Sequence, residues 1–316
     1  MPDHKLQSPS INPDAAVREL IDAATAGRTD LAQQLTAAMG WSDRGLFNDE
    51  LIARSRGLLL HLAQQLAGAE LGQVAGEAPT NSTDAILAAL MTEPRLLAYC
   101  HALCLEYQLT TRLAREADLD PLLPRLLQEM IASTDEITSN NAASCLAAQM
   151  RHLGALERMR LPLEQLPADL LRVALAIGRT ASATPEIADA VEQGVRTRYH
   201  EEATRHALFK HLVNRPEYPD KRGWQLEKAG TGLFLAAFAE RAELEWVDAA
   251  SLLPEGQQAS FALEALSSGC TRKALSRNLI LLHNQAAMPV ISVLASAGPA
   301  QLLAALEAAT GEGTGI

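Results

Sequence analysis

Aromatic residues are scarce in this chain: Phe, Trp and Tyr make up 4% of its 316 residues. Strand-built cores lean on aromatic and β-branched side chains, so the scarcity excludes a β-sandwich and points to Ala and Leu packed between helices. Base is scarce as well. Lysine occurs only at Lys5, Lys210, Lys221, Lys228 and Lys273, and the net charge is -11. Phosphate neutralisation needs a basic footprint, so no nucleic-acid partner is expected. A long uninterrupted apolar run is missing too. The most apolar stretch, 279–298, is broken by His283, Asn284, Gln285 and Pro289, and no membrane span is expected there. MPDHKLQSPSINPDAA lacks the basic and apolar regions of a signal peptide. With no export signal, Cys100, Cys104, Cys145 and Cys270 are expected to be reduced thiols of a cytoplasmic protein. No GxSxG, HExxH, P-loop or dinucleotide fingerprint occurs, and no cofactor is expected.

What is present is helical punctuation. Apolar residues make up 48% of the chain, enough for a substantial core. Asn12-Pro13, Asp120-Pro121 and Thr184-Pro185 each place a capping side chain before proline at a first helical position. Ser133 and Glu136 have capping-box spacing, and Gly27, Gly40, Gly178 and Gly298 stand where periodic segments stop. Between these signals apolar residues recur at three and four. The pattern predicts two helices near 17–21 and 31–39, and a long segment over 51–66. Further helices are predicted over 83–91, 94–117, 121–132, 135–158, 164–178, 185–213, 223–243, 256–268, 272–284, 288–297 and 300–309. No alternating run of strand length occurs, so the fold class is all-α.

Short loops favour antiparallel helical hairpins, stacked as an irregular HEAT-like solenoid or as two packed helical bundles. HLAQQL at 61–66 is faintly echoed by CLAAQM at 145–150, which is compatible with degenerate hairpin repeats. Gly, Ser and Thr replace the apolar period over 178–184. The expected division is therefore an N-terminal helical domain over 1–178, a C-terminal one over 179–310, and a flexible tail over 311–316.

Three stretches carry a resemblance: LPLEQLPADLLRVAL at 161–175, FLAAFAERAELEWVDAASLL at 234–253 and ALEALSSGCTRKALSRNLILLH at 262–283. They resemble the alphaproteobacterial family designated domain of unknown function 2336, whose members are similar to HEAT-type helical-repeat proteins. The resemblance implies an all-helical fold in a bacterial cytosol. It brings no catalytic residues with it.

The richest chemistry lies in 183–222, which holds His200, His206 and His211 among several arginines and glutamates. If 185–213 is one helix, Ile187, Val191, Val195, Phe209, Leu212 and Val213 mark its buried stripe. His206 then projects away from the other two histidines, and His200 and His211 are separated by roughly 16 Å along the axis, which excludes a three-histidine metal site. Arg198, Glu202 and Arg205 fall on or beside the stripe, with His206 at its edge. Glu202 is spaced to reach Arg198, Arg205 and His206. Such a group is costly to desolvate unless each member is paired. Two readings stay open: a salt-bridge network at a seam between helical layers, or a site for an anion or an acidic partner.

Cys100, His101 and Cys104 share a helical face but sit in the apolar stripe of Leu96, Leu97, Leu103 and Tyr107. A fourth zinc ligand is not indicated, so they read as core, and no metal is expected. Gly230-Thr231-Gly232 reads as close helix packing, and Trp224 and Trp246 as anchors at the ends of the 223–243 helix. The function expected is a non-enzymatic helical-repeat scaffold or adaptor that binds another protein, in regulation or signalling. Two alternatives stand beside it: an enzyme with an acid–base site around Glu202 and His206, and a structural module that forms homo-oligomers.

Overall fold

Leucines at three- and four-residue spacing form helices over most of the described chain. The computed structural model describes residues 49–68, 80–182, 184–219, 223–298 and 301. Among these residues every regular element is helical, and the fold is all-α. The chain forms two compact units: one spans Asp30–Ser251, and the other combines Met1–Thr29 with Leu252–Ile316. The division expected at 178/179 falls inside a helix of the first of these.

That longer unit contains α1 (Asp49–Leu66), α2 (Thr80–Met91), α3 (Pro94–Glu116), α4 (Arg125–Ile131) and α5 (Glu136–Glu157). It continues through α6 (Ala168–Ala181), α7 (Pro185–Arg198), α8 (Arg205–Val213), α9 (Leu226–Arg241) and α10 (Trp246–Ser251). α1 shows how the pattern works. Leu51, Leu58, Leu59, Leu62 and Leu66 are buried on one stripe, while Asp49 and Glu50 occupy the first turn, where the helix dipole favours acid. The stripe meets Ile86 and Leu90 of α2, Leu96 and Leu97 of α3, and the loop leucines Leu161, Leu163 and Leu166. Contacts join sequence neighbours, such as α1 with α2 and α4 with α5. They also join distant elements: α1 with α6, α5 with α8, and α3 with α10. In a solenoid each repeat meets only its neighbours.

The faint echo has a physical counterpart. Its fifth position is Gln65 on α1 and Gln149 on α5, and both are buried. Gln65 Nε2 donates to the Leu161 carbonyl at 2.8 Å, and its Oε1 accepts from Leu163 N at 3.0 Å. Gln149 Nε2 donates to the Pro121 carbonyl at 3.2 Å. Each glutamine ties a loop to a helix through main-chain groups, and those of Leu161 and Leu163 lie in the core.

Several boundaries differ from expectation. Asp120 accepts from Leu122 N and Leu123 N in a turn, so the helix expected from 121 starts only at Arg125. Asp135, not Ser133, caps α5 by accepting from Thr138 N at 2.8 Å. Gly178 is no terminal cap: α6 runs on to Ala181, and the bare Gly178 Cα lets Leu66 pack against it. Helices expected near 17–21 and 31–39 and over most of 300–309 lie outside the described residues, as does the tail at 311–316.

The other unit is described over 252–298 and 301, with α11 (Gln258–Ser267), α12 (Arg272–His283) and α13 (Met288–Ser296). Arg272 Nη1 donates to the carbonyls of Leu294 and Ala297, satisfying the end of α13. By length and composition, Arg272–Ser296 is long and apolar enough to cross a membrane. Its backbone turns sharply at Asn284, where φ is 49°, and Leu275, Leu279, Leu282 and Leu294 are buried.

Candidate functional site

The helix expected over 185–213 is two helices, and this changes what its side chains meet. α7 stops at Arg198, Tyr199 and His200 are extended, and Glu201–Ala203 form a 3-10 turn. Thr204 then caps α8, its side chain accepting from Ala207 N at 3.3 Å. Tyr199 Oη donates to the Leu166 carbonyl at 3.2 Å, fixing the turn to the loop before α6. A wheel drawn through the break cannot place Arg198 and Glu202 relative to Arg205.

Arg198 is exposed on α7 and donates Nε to Glu164 Oε1 at 2.8 Å, not to Glu202. Glu202 is exposed on the 3-10 turn and makes no ion pair among the described residues. His200 and His211 are exposed too. Of the four residues singled out, only Arg205 and His206 stand together, at the first turn of α8.

Arg205 is 3% exposed and Glu106, on α3, likewise. Arg205 Nη1 donates to Glu106 Oε2 at 3.0 Å, Nη2 donates to Oε1, and Nε donates to Gln149 Oε1 at 2.7 Å. Every guanidinium nitrogen therefore has an acceptor, the condition under which an ion pair can be buried. The guanidinium also lies over the Phe209 ring, 4.7 Å from its centroid. Gly232 on α9 makes room for this: a Cβ there would come within 2.5 Å of Phe209 and 2.7 Å of Arg205 Nη2. Close packing at Gly230-Thr231-Gly232 is thus real at Gly232. At Gly230 the helical path breaks, with φ 68° and the Pro124 ring against its Cα.

His206 meets Trp246 edge-on at 4.2 Å between centroids, and Tyr99 lies 6.0 Å away. Part of the residue reaches the surface, yet its Nε2 is sealed from solvent and has no hydrogen-bond partner. Burial, then the Arg205 charge, lowers its pKa to about 3. The His152 imidazole, its Nε2 sealed from solvent, is held well below its ordinary range by burial and by Arg205 and His206. Both rings are neutral at pH 7. Neither Glu106 nor Glu202 is free to act with them: Glu106 is occupied by Arg205, and Glu202 is exposed on the 3-10 turn.

Glu106 and Gln149 are the partners that sequence reasoning missed. Glu106 had a signal: it continues the stripe of Leu103, Thr110 and Leu113, where a carboxylate is out of place unless paired. Gln149 had one in the echo with Gln65. The Cys100 and Cys104 thiols lie in the core. Burial raises Cys104 to about 11, holds Cys100 well above its ordinary range, and lowers His101 to about 4. Among the described residues no three His, Cys, Asp or Glu side chains are grouped to hold a metal ion.

Neither cavity described touches Arg205 or His206. An open cleft of about 380 Å3 lies on α6 and α7, but its Arg179 and Arg196 are already paired with Asp189 and Glu192. A narrow crevice among Arg54, Leu58, Cys104, Tyr107, Leu156 and Met159 has no room for a water molecule. Compared with known proteins, the chain matches no family model, no curated protein and no solved structure.

Proposed function

We propose that this protein is a non-enzymatic helical scaffold that binds another protein in the cytoplasm. The observation that carries this reading is the closure of Arg205. The Arg205 constellation has all its guanidinium nitrogens bonded internally and sits at 3% exposure. A group so enclosed ties α3, α5 and α8 together and has nothing left for a substrate. The acid–base alternative loses its pairing, because Glu202 and His206 lie on different elements, one exposed and the other packed on Trp246. The resemblance to HEAT-like helical-repeat proteins points the same way.

Affinity capture of the tagged chain from the cells that encode it, with identification of what co-purifies, tests the reading. A reproducible stoichiometric protein partner is the expected result. Recovery of no specific protein would overturn it.

A further inference from the structure

Ion pairing of arginine in the longer unit is uneven. Arg95, Arg179, Arg198 and Arg215 each have a carboxylate within bonding range. Arg56, Arg151, Arg158 and Arg160 are exposed, and none makes an ion pair among the described residues. These four come from two helices and a loop that the fold draws together. A Cβ on Gly57 would meet Met159 Sδ at 2.9 Å, so Met159 lies against α1 at Gly57, where it lines a crevice with Arg54 and Leu58. His61 Nδ1 is 3.0 Å from the Leu161 carbonyl, so the 159–161 segment follows α1 from Gly57 to His61. Arg158 folds back along α5, its Nη2 3.7 Å from where a Cβ on Gly154 would stand, toward the turn that carries Arg151.

These elements also expose apolar side chains: Leu60 on α1 is 36% exposed, Met150 on α5 55% and Met159 after it 44%. Met159 adopts φ 51°, a left-handed helix end that glycine ordinarily fills. Packing on Gly57 accounts for part of that side chain, and the rest faces solvent. The α5 dipole favours Arg158 and Arg160 at its C-terminal end. It does not account for Arg151 two turns earlier, nor for Arg56 on another helix. Glu157 is a neighbouring carboxylate and offsets one charge, and Glu50 is taken up by Arg54, so a basic, partly apolar face remains in a chain of net charge -11.

We infer that this face docks an acidic, amphipathic segment of a partner protein, carboxylates on the arginines and apolar side chains on Leu60, Met150 and Met159. The inference rests on the scaffold reading above and names the partner's chemistry. An extended anionic surface, lipid or nucleic acid, would meet the acid elsewhere on the molecule and be repelled, whereas a short acidic segment meets only the patch.

The test uses the full chain and a labelled synthetic peptide of about 18 residues, five helical turns, made of Glu, Ala and Leu with leucines at three- and four-residue spacing. Fluorescence anisotropy should show saturable binding, weakened at least about tenfold by Arg151→Glu/Arg158→Glu/Arg160→Glu and by raised salt. The variant should melt with the wild type, since these side chains are exposed. No saturable binding, equal binding by the variant, or tighter binding to phosphatidylserine vesicles or single-stranded RNA would overturn the inference. Capture from cells separates the two claims. If wild type and variant retrieve the same partner, the docking face is wrong and the scaffold stands; if neither retrieves one, the scaffold reading itself fails.

Discussion

Arg205 and Glu106 lie 99 residues apart in the chain and meet as a two-pronged buried ion pair between α8 and α3, with Gln149 of α5 closing the third side. A pair of this kind is costly to open from one end only, because the remaining charge stays buried without a partner.

Arg205→Ala is therefore expected to destabilise the fold by about 3–5 kcal/mol, and Glu106→Ala by a similar amount. Arg198→Ala, which removes an exposed pair with Glu164, should cost at most about 1 kcal/mol. Urea denaturation of the single variants checks the contrast. Equal, small losses for Arg205→Ala and Arg198→Ala would mean that the buried pair does not hold the three helices.

Gly232→Ala should lose stability although alanine is the better helix former by about 1 kcal/mol. Its Cβ would stand within 2.5 Å of Phe209 and 2.7 Å of Arg205 Nη2, which are fixed by their own contacts. A lower thermal midpoint is expected, and Phe209→Leu in the same chain should recover part of it. A rise in midpoint for Gly232→Ala alone would contradict the packing described.

Stability should fall on acidification through the buried histidines. Burial lowers His101 to about 4 and His206 to about 3, and His152 is lowered as well. The unfolded chain, with imidazoles near 6.5, binds these protons first. The contribution of the neutral rings is thus complete above about pH 6.5 and is lost as pH falls toward the folded values. Each ring can contribute up to about 1.4 kcal/mol per pH unit in that window. Urea midpoints taken from about pH 7 to 4.5 should show the slope, and His206→Phe should reduce it by about one proton. An unchanged slope in that variant would show that His206 is not buried.

The thiols should be silent in the native state. All four cysteines are buried, and burial pushes Cys145 and Cys270 to about 12 and Cys104 to about 11. A thiol reagent at mild alkaline pH is expected to label none of them until the chain is unfolded, when all should react. Prompt labelling of Cys100 or Cys104 in the folded protein would contradict their place in the core.

The helical class was legible in the sequence because it rests on short-range periodicity, which most leucines of α1 and α3 keep. The buried stripe of 185–213 also emerged at Val191, Val195, Phe209, Leu212 and Val213. What periodicity could not show was the break at 199–204, since Thr204 caps α8 without the glutamate that completes a capping box. The partner of Arg205 was out of reach for a related reason. Helical spacing nominates neighbours at three and four, and Glu202 met that rule, while Glu106 is brought in by the tertiary fold. Gly230 misled in the same way: its positive φ is a tertiary accommodation of Pro124, not a local preference.

The most direct test of the central claim, a structural core knot with binding on the outer surface, compares three tagged chains in the cells that encode them. These are the wild type, the paired apolar variant Glu106→Leu/Arg205→Met, and the surface variant Arg151→Glu/Arg158→Glu/Arg160→Glu. Buried pairs replaced on both sides keep or gain stability in other folds, so the first two should fold and retrieve the same partner, and the third should fold and lose it. A paired apolar variant that melts with the wild type yet retrieves no partner would place the binding function at Arg205 and contradict the account.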